Sequence, residues 1–199
     1  MVKKNCGLII ALVVTGGMFS PLAGAAPPQD YSLSYAVKTA DGAVFRNVKY
    51  DLRDGNKFRV EYISGDAVTT IDILRKDKGV VWAVDPGLKQ YAEIPMKQDA
   101  WDSSVSGMFA TVPQDVKKTG TTKLLNYSCD IYERDQEGWT MISAIDPGTN
   151  VILRNETRQK GKVFQIMEAT EVSFAKPAAA LFEIPDGYNK YEPLQPRGR

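Results

Sequence analysis

From residue 31 onward apolar and polar residues alternate, and turn dipeptides punctuate the alternation. A period of two with Gly- and Asp-rich breaks is the pattern of half-buried antiparallel strands. Tyr31 to Lys38 opens the series and Asp41-Gly42 ends it. Val44 to Arg53 follows, with Val44, Val48, Tyr50 and Leu52 on one parity, then the turn Asp54-Gly55. Phe58, Val60 and Tyr62 alternate next, and Gly65-Asp66 turns into Val68 to Leu74. Val80 to Val84 leads to Asp85-Pro86-Gly87, a turn because proline pre-sets φ and glycine accepts positive φ. The tripeptide recurs as Asp146-Pro147-Gly148, and each copy sits between two apolar stretches, which predicts two similar hairpins in one curved sheet. Further strands are predicted at Lys89 to Ile94, Thr121 to Leu125, Tyr127 to Arg134, Trp139 to Ile145, Val151 to Thr157 and Val163 to Phe174.

The period changes once in the middle. Trp101, Val105, Met108, Phe109 and Val112 recur at helical spacing, which predicts a helix over 99–112 with Asp99 as N-cap and Pro113 as its stop. Pro177 and the alanines after it predict a second, short helix. The expected architecture is therefore mainly β. It is a single antiparallel curved sheet of about ten or eleven strands, an unclosed half-barrel whose concave face one or two helices cover.

The first 25 residues break the pattern. Lys3 and Lys4, the apolar run Leu8 to Val14, and Ala23-Gly24-Ala25 have the order of a secretory signal peptide with cleavage before Ala26. The run is about half of the ~20 residues that a spanning helix needs. The expected organisation is a signal peptide at 1–25, one half-barrel domain at 26–189 and a flexible tail at 190–199. A protein so exported is expected in the periplasm, soluble and without a stable membrane anchor. Cleavage leaves about 174 residues and turns 25 basic residues against 24 acids into 23 against 24. No basic excess remains to hold nucleic acid. Cys129 is the single cysteine of the mature chain and reads as a small apolar strand residue; no intrachain disulfide can form.

Chemistry is sparse. The chain has no histidine, which removes the usual general base and the commonest transition-metal ligand. It has no phosphate-binding glycine loop, no nucleophile elbow and no paired-histidine zinc motif. Asp51 to Asn56 distantly resembles a calcium loop, but Arg53 stands at a ligand position, so a hairpin turn is expected. No catalytic residue, metal or cofactor is expected. What remains is aromatic and methionine content: Trp82, Tyr91, Trp101, Val105, Met108, Phe109, Trp139 and Met141 are candidates to line a cavity or form its lid. Ordinary core packing is the competing reading for each, and for the strand residues it is the favoured one.

Three segments carry a family resemblance: Val81 to Tyr91 around Asp85-Pro86-Gly87, Gly120 to Tyr132 with Gly120-Thr121, Cys129 and Tyr132, and the closing Leu181-Phe182-Glu183-Ile184-Pro185-Asp186-Gly187-Tyr188. In this order they resemble the LolA/LolB-like periplasmic lipoprotein carriers. The resemblance implies an unclosed barrel with helices at its mouth and a cavity for acyl chains. No residue here aligns with the carriers' functional arginine, so none is assigned a ligand contact by analogy. The resulting expectation is a periplasmic carrier holding an acyl chain or other apolar ligand. The alternative is an interaction, sensor or envelope-structural module whose concave face is only its core, with an envelope protein as partner. A hydrolase using two carboxylates is a third reading.

Overall fold

The computed structural model describes residues 28–110, 112 and 116–191. The proposed signal peptide and cleavage point lie outside them, as do residues 192–199 of the expected tail. The described residues form one 12-stranded unclosed sheet. Its strands are β1 (Tyr31–Lys38), β2 (Val44–Arg53), β3 (Lys57–Ser64), β4 (Ala67–Arg75), β5 (Val80–Asp85), β6 (Gln90–Pro95), β7 (Lys118–Leu124), β8 (Tyr127–Gln136), β9 (Trp139–Ile145), β10 (Ile152–Gln159), β11 (Lys162–Ser173) and β12 (Asn189–Lys190). The spatial order is β12-β6-β5-β4-β3-β2-β1-β11-β10-β9-β8-β7. Eleven strands follow the alternation in the sequence. The twelfth is new: Asn189 and Lys190, at the expected start of the tail, pair in parallel with Gln90 and Tyr91.

The turns form for the reasons their residues suggest. Asp54 and Gly55 both take positive φ, 55° and 60°, and with Asn56 they make the short connection between the paired Arg53 and Lys57. The calcium-loop resemblance thus resolves into a tight hairpin. The two Asp-Pro-Gly turns are built alike. Asp85 Oδ1 accepts from Leu88 N at 3.0 Å and Asp146 Oδ2 accepts from Thr149 N at 2.9 Å.

β1 lies in the middle of the sheet and is its most buried strand. Tyr31, Leu33, Tyr35 and Val37 join Val48, Tyr50, Leu52, Phe58, Val60 and Leu74 in the main core. Adjacent residues of a strand point to opposite faces, so this core defines the inner face. Ile71, Ile73, Trp82 and Val84 have the opposite parity and form a second core with Phe182 on the outer face.

The helical elements depart from expectation. The helix α1 is Gln98–Ser106, shorter than 99–112. Lys97 occupies the N-cap position, and Asp99 sits in the first turn. Gly107 ends the helix, and Met108 to Ala110 leave it to run beside β10. Ile152 N donates to Met108 O at 3.0 Å, Ala110 N donates to Asn150 O at 2.9 Å, and Phe109 bridges Val151. Backbone hydrogen bonds to a strand outcompete the last helical turns here. The second expected helix is a single 3-10 turn, Ala179–Phe182. It covers the outer face rather than the concave one. Three arginines decide this: Arg53 donates to Pro177 O at 2.5 Å, Arg59 to Leu181 O at 2.9 Å and Arg75 to Phe182 O at 2.9 Å. Arg59 and Arg75 thereby satisfy carbonyls that a short helix leaves open, and Phe182 is buried completely.

Candidate functional site

The eight candidate residues do not converge on one site. Trp101 and Met108, 4% and 1% exposed, belong to the main core, and Val105 and Phe109 pack against it. The ring of Phe109 meets Tyr31 edge-on at 5.0 Å. Lys76 closes over the Trp101 ring at 5.4 Å. These four side chains therefore fill the inner face beneath α1. Trp82 and Tyr91 lie on the outer face with Phe182. Trp82 donates to Glu93 at 2.9 Å, and the cations of Arg75 and Lys78 lie 5.6 and 4.8 Å from its ring centroid. Trp139 packs edge-on against the exposed Phe164 at 5.5 Å. Met141 lies half-buried on the same strand, opposite Arg134 and Thr157.

A hollow of about 220 Å³ opens elsewhere, at the β7 end of the sheet. Thr122, Leu124, Ile131, Ile142, Ala144 and Arg154 line it. Register explains the grouping, since Ala144 pairs with both Ile131 and Arg154 and cross-strand partners share a face. Leu124 and Ala144 also touch the main core, so the hollow is a shallow inlet beside it. Its cationic wall is fixed. Arg154 donates to Glu156 and to Glu168, both at 2.9 Å. Arg158 and Lys38 extend the series, binding Glu156 and Glu168 at 2.7 Å each. These cations hold both carboxyls below the ordinary carboxylate range against the opposing effect of desolvation. The sequence showed these residues only as strand alternation. Their meeting depends on the pairing of β9, β10 and β11.

Asp72 is the other unusual group. It stands on the inner face between Val60 and Ala83, half-buried, with no hydrogen bond or ion pair among the described residues. Desolvation raises its pKa to about 6. Across the sheet from Thr70, Tyr62 is pushed up to about 12, chiefly by its own burial and further by the Asp72 charge. Cys129 is buried, its thiol raised first by desolvation, and its sulfur approaches Tyr127 O at 3.8 Å. No group of three potential metal ligands occurs among the described residues, and no helix there is long and apolar enough to cross a membrane.

No family model matches the chain. No curated protein matches it either. Solved structures do. An uncharacterized conserved protein of Thermus thermophilus superposes with a TM-score of 0.56 at 15% identity, over 82% of this chain and 90% of that one. MucB superposes with a TM-score of 0.53 at 14% identity, over 79% of this chain and 58% of that one. The Pseudomonas aeruginosa MucA/MucB complex gives 0.53 at 14% identity, over 77% and 55%. The chain thus spans little more than half the length of the MucB chains. At such identities the likeness speaks for the fold, and it supports the LolA-like fold that the three sequence segments suggested.

Proposed function

We propose that this protein is a non-enzymatic, periplasmic interaction module that engages an envelope protein, and that its concave face serves as its core. One observation carries this reading: the inner face beneath α1 is occupied by the chain's own Tyr31, Trp101 and Met108, none more than 4% exposed. A carrier of acyl chains needs that space empty. The hollow beside it, about 220 Å³, is smaller than the ~300–1,000 Å³ usual for small-molecule sites. The complex of MucB, a similar fold, with the periplasmic part of MucA lends support to a protein partner. Export rests on Lys3-Lys4, the apolar run and Ala23-Gly24-Ala25. Against catalysis stand the absence of histidine and the ion-paired state of Glu156 and Glu168, which keeps both deprotonated.

The test is native mass spectrometry of the protein purified from its own envelope after mild cross-linking. The expected result is an adduct of protein mass and no stoichiometric lipid. A bound acyl species on most molecules would overturn the reading. A second reading keeps a short apolar ligand with an anionic end, favoured by the apolar floor and the Arg154 wall of the hollow. It predicts displacement of a fluorescent fatty-acid probe from wild type and none from Ala144→Trp.

A further inference from the structure

β7 is one free end of the sheet: β8 pairs with one side of it, and no strand among the described residues pairs with the other. An edge strand presents a row of unpaired N–H and C=O groups and can template an added strand. Three features give this edge a preference. First, its charged residues are all basic: Lys118 and Lys123 lie on β7 and Lys117 just before it, with no acidic residue from 116 to 129. Lys118 is bound to Asp130 at 2.6 Å, but Lys123 is exposed and has no ion pair among the described residues. Second, the hollow begins on this strand, at Thr122 and Leu124. Third, Arg154, whose guanidinium is held by Glu156 and Glu168, lines the far side of the hollow.

We infer that β7 is the docking edge for an extended acidic segment of the partner protein, which adds as a further strand and leans one long apolar side chain into the hollow of Leu124, Ile131, Ile142 and Ala144. The inference rests on the proposed protein partner and specifies where and how it binds. An added strand lies ~4.8 Å beyond β7. Its side chains on the hollow's face then stand beside Thr122 and Leu124, within reach of a diagonal contact. Carboxylates on the segment meet Lys118 and Lys123. A second copy of β7 is disfavoured, because lysines would face an equally cationic edge.

The probe is a blocked peptide alternating glutamate with leucine over eight residues, and the readout is hydrogen exchange of the β7 amides. Exchange at β7 should slow at least fivefold with this peptide, and not with its lysine–leucine counterpart. The protection should be lost in Lys123→Glu, which breaks no ion pair among the described residues, and weakened in Thr122→Trp, which narrows the hollow. Equal protection by both peptides, protection confined to other strands, or protection by phosphatidylglycerol vesicles but not by the peptide would each overturn the inference. Cross-linking in the envelope separates the two proposals. A protein adduct formed equally by wild type and Lys123→Glu rejects β7 as the edge and leaves the interaction module standing. No protein adduct with wild type rejects both.

Discussion

Asp72→Asn should make this protein more stable at neutral pH. A buried carboxylate without a partner disfavours the folded state whenever it is charged. The folded pKa of about 6 lies above the ordinary 3.8. The folded protein therefore holds this proton over a pH range where the unfolded chain has released it. Stability falls as pH rises from about 4 to about 6, and the whole penalty is present above that. A rise of that size corresponds to roughly 3 kcal/mol, which water reaching the half-buried group reduces to about 1–3 kcal/mol. Asparagine keeps the shape and carries no charge. Urea unfolding of both proteins at pH 7.5, 5 and 4, with equal m-values, measures the difference. The variant should gain about 1–3 kcal/mol at pH 7.5, and the gap should shrink to roughly 0.5 kcal/mol or less at pH 4, where Asp72 is protonated in the folded protein and partly so in the unfolded chain. A variant no more stable at pH 7.5, or a gap independent of pH, would refute the reasoning and show that Asp72 is solvated or paired.

Other perturbations follow from burial and pairing. Phe182→Ala removes the anchor of the C-terminal segment and should cost about 3–5 kcal/mol in urea unfolding; a loss below about 1 kcal/mol would mean the segment is held by its arginine contacts alone. Met108→Ser with Phe109→Ser should destabilise the whole sheet by on the order of 4 kcal/mol. If the two acted as a detachable lid, circular dichroism and the unfolding midpoint would stay unchanged. Cys129 should react with a thiol reagent only after unfolding, and Cys129→Ala should cost about 1 kcal/mol; fast labelling of the folded protein would contradict its burial. Glu183 is held below the ordinary carboxylate range by Arg75 and Lys78 against desolvation, so its contribution is present above that range and lost as pH falls through the folded value. The expected sign is opposite to that of Asp72, and an acid titration of Glu183→Gln against wild type checks it.

The strands were legible in the sequence because burial on one face imposes a period of two that survives without any tertiary information. β1, β2 and β9 begin and end at the residues the alternation marks, and the hairpins turn where Asp54-Gly55 and the two Asp-Pro-Gly triplets place them. The mid-chain helix was legible in kind but not in length. Trp101, Val105, Met108 and Phe109 keep helical spacing, yet hydrogen bonds to Asn150 and Ile152 draw the last two into an extended segment. Those partners are about 40 residues away, and no local pattern encodes them. The same holds for the outer face. Nothing near Arg53, Arg59 or Arg75 in the sequence names their partners, and only the returning C-terminal segment lays its carbonyls on them. Aromatic residues marked apolar surface and gave no sign of which face would receive it. The parity of β5 alone sends Val81 inward and Trp82 outward, and only the order of strands brought Leu124, Ile131, Ala144 and Arg154 around one hollow beside an open edge. Sequence determines which residues seek burial; pairing across the sheet decides which of them meet.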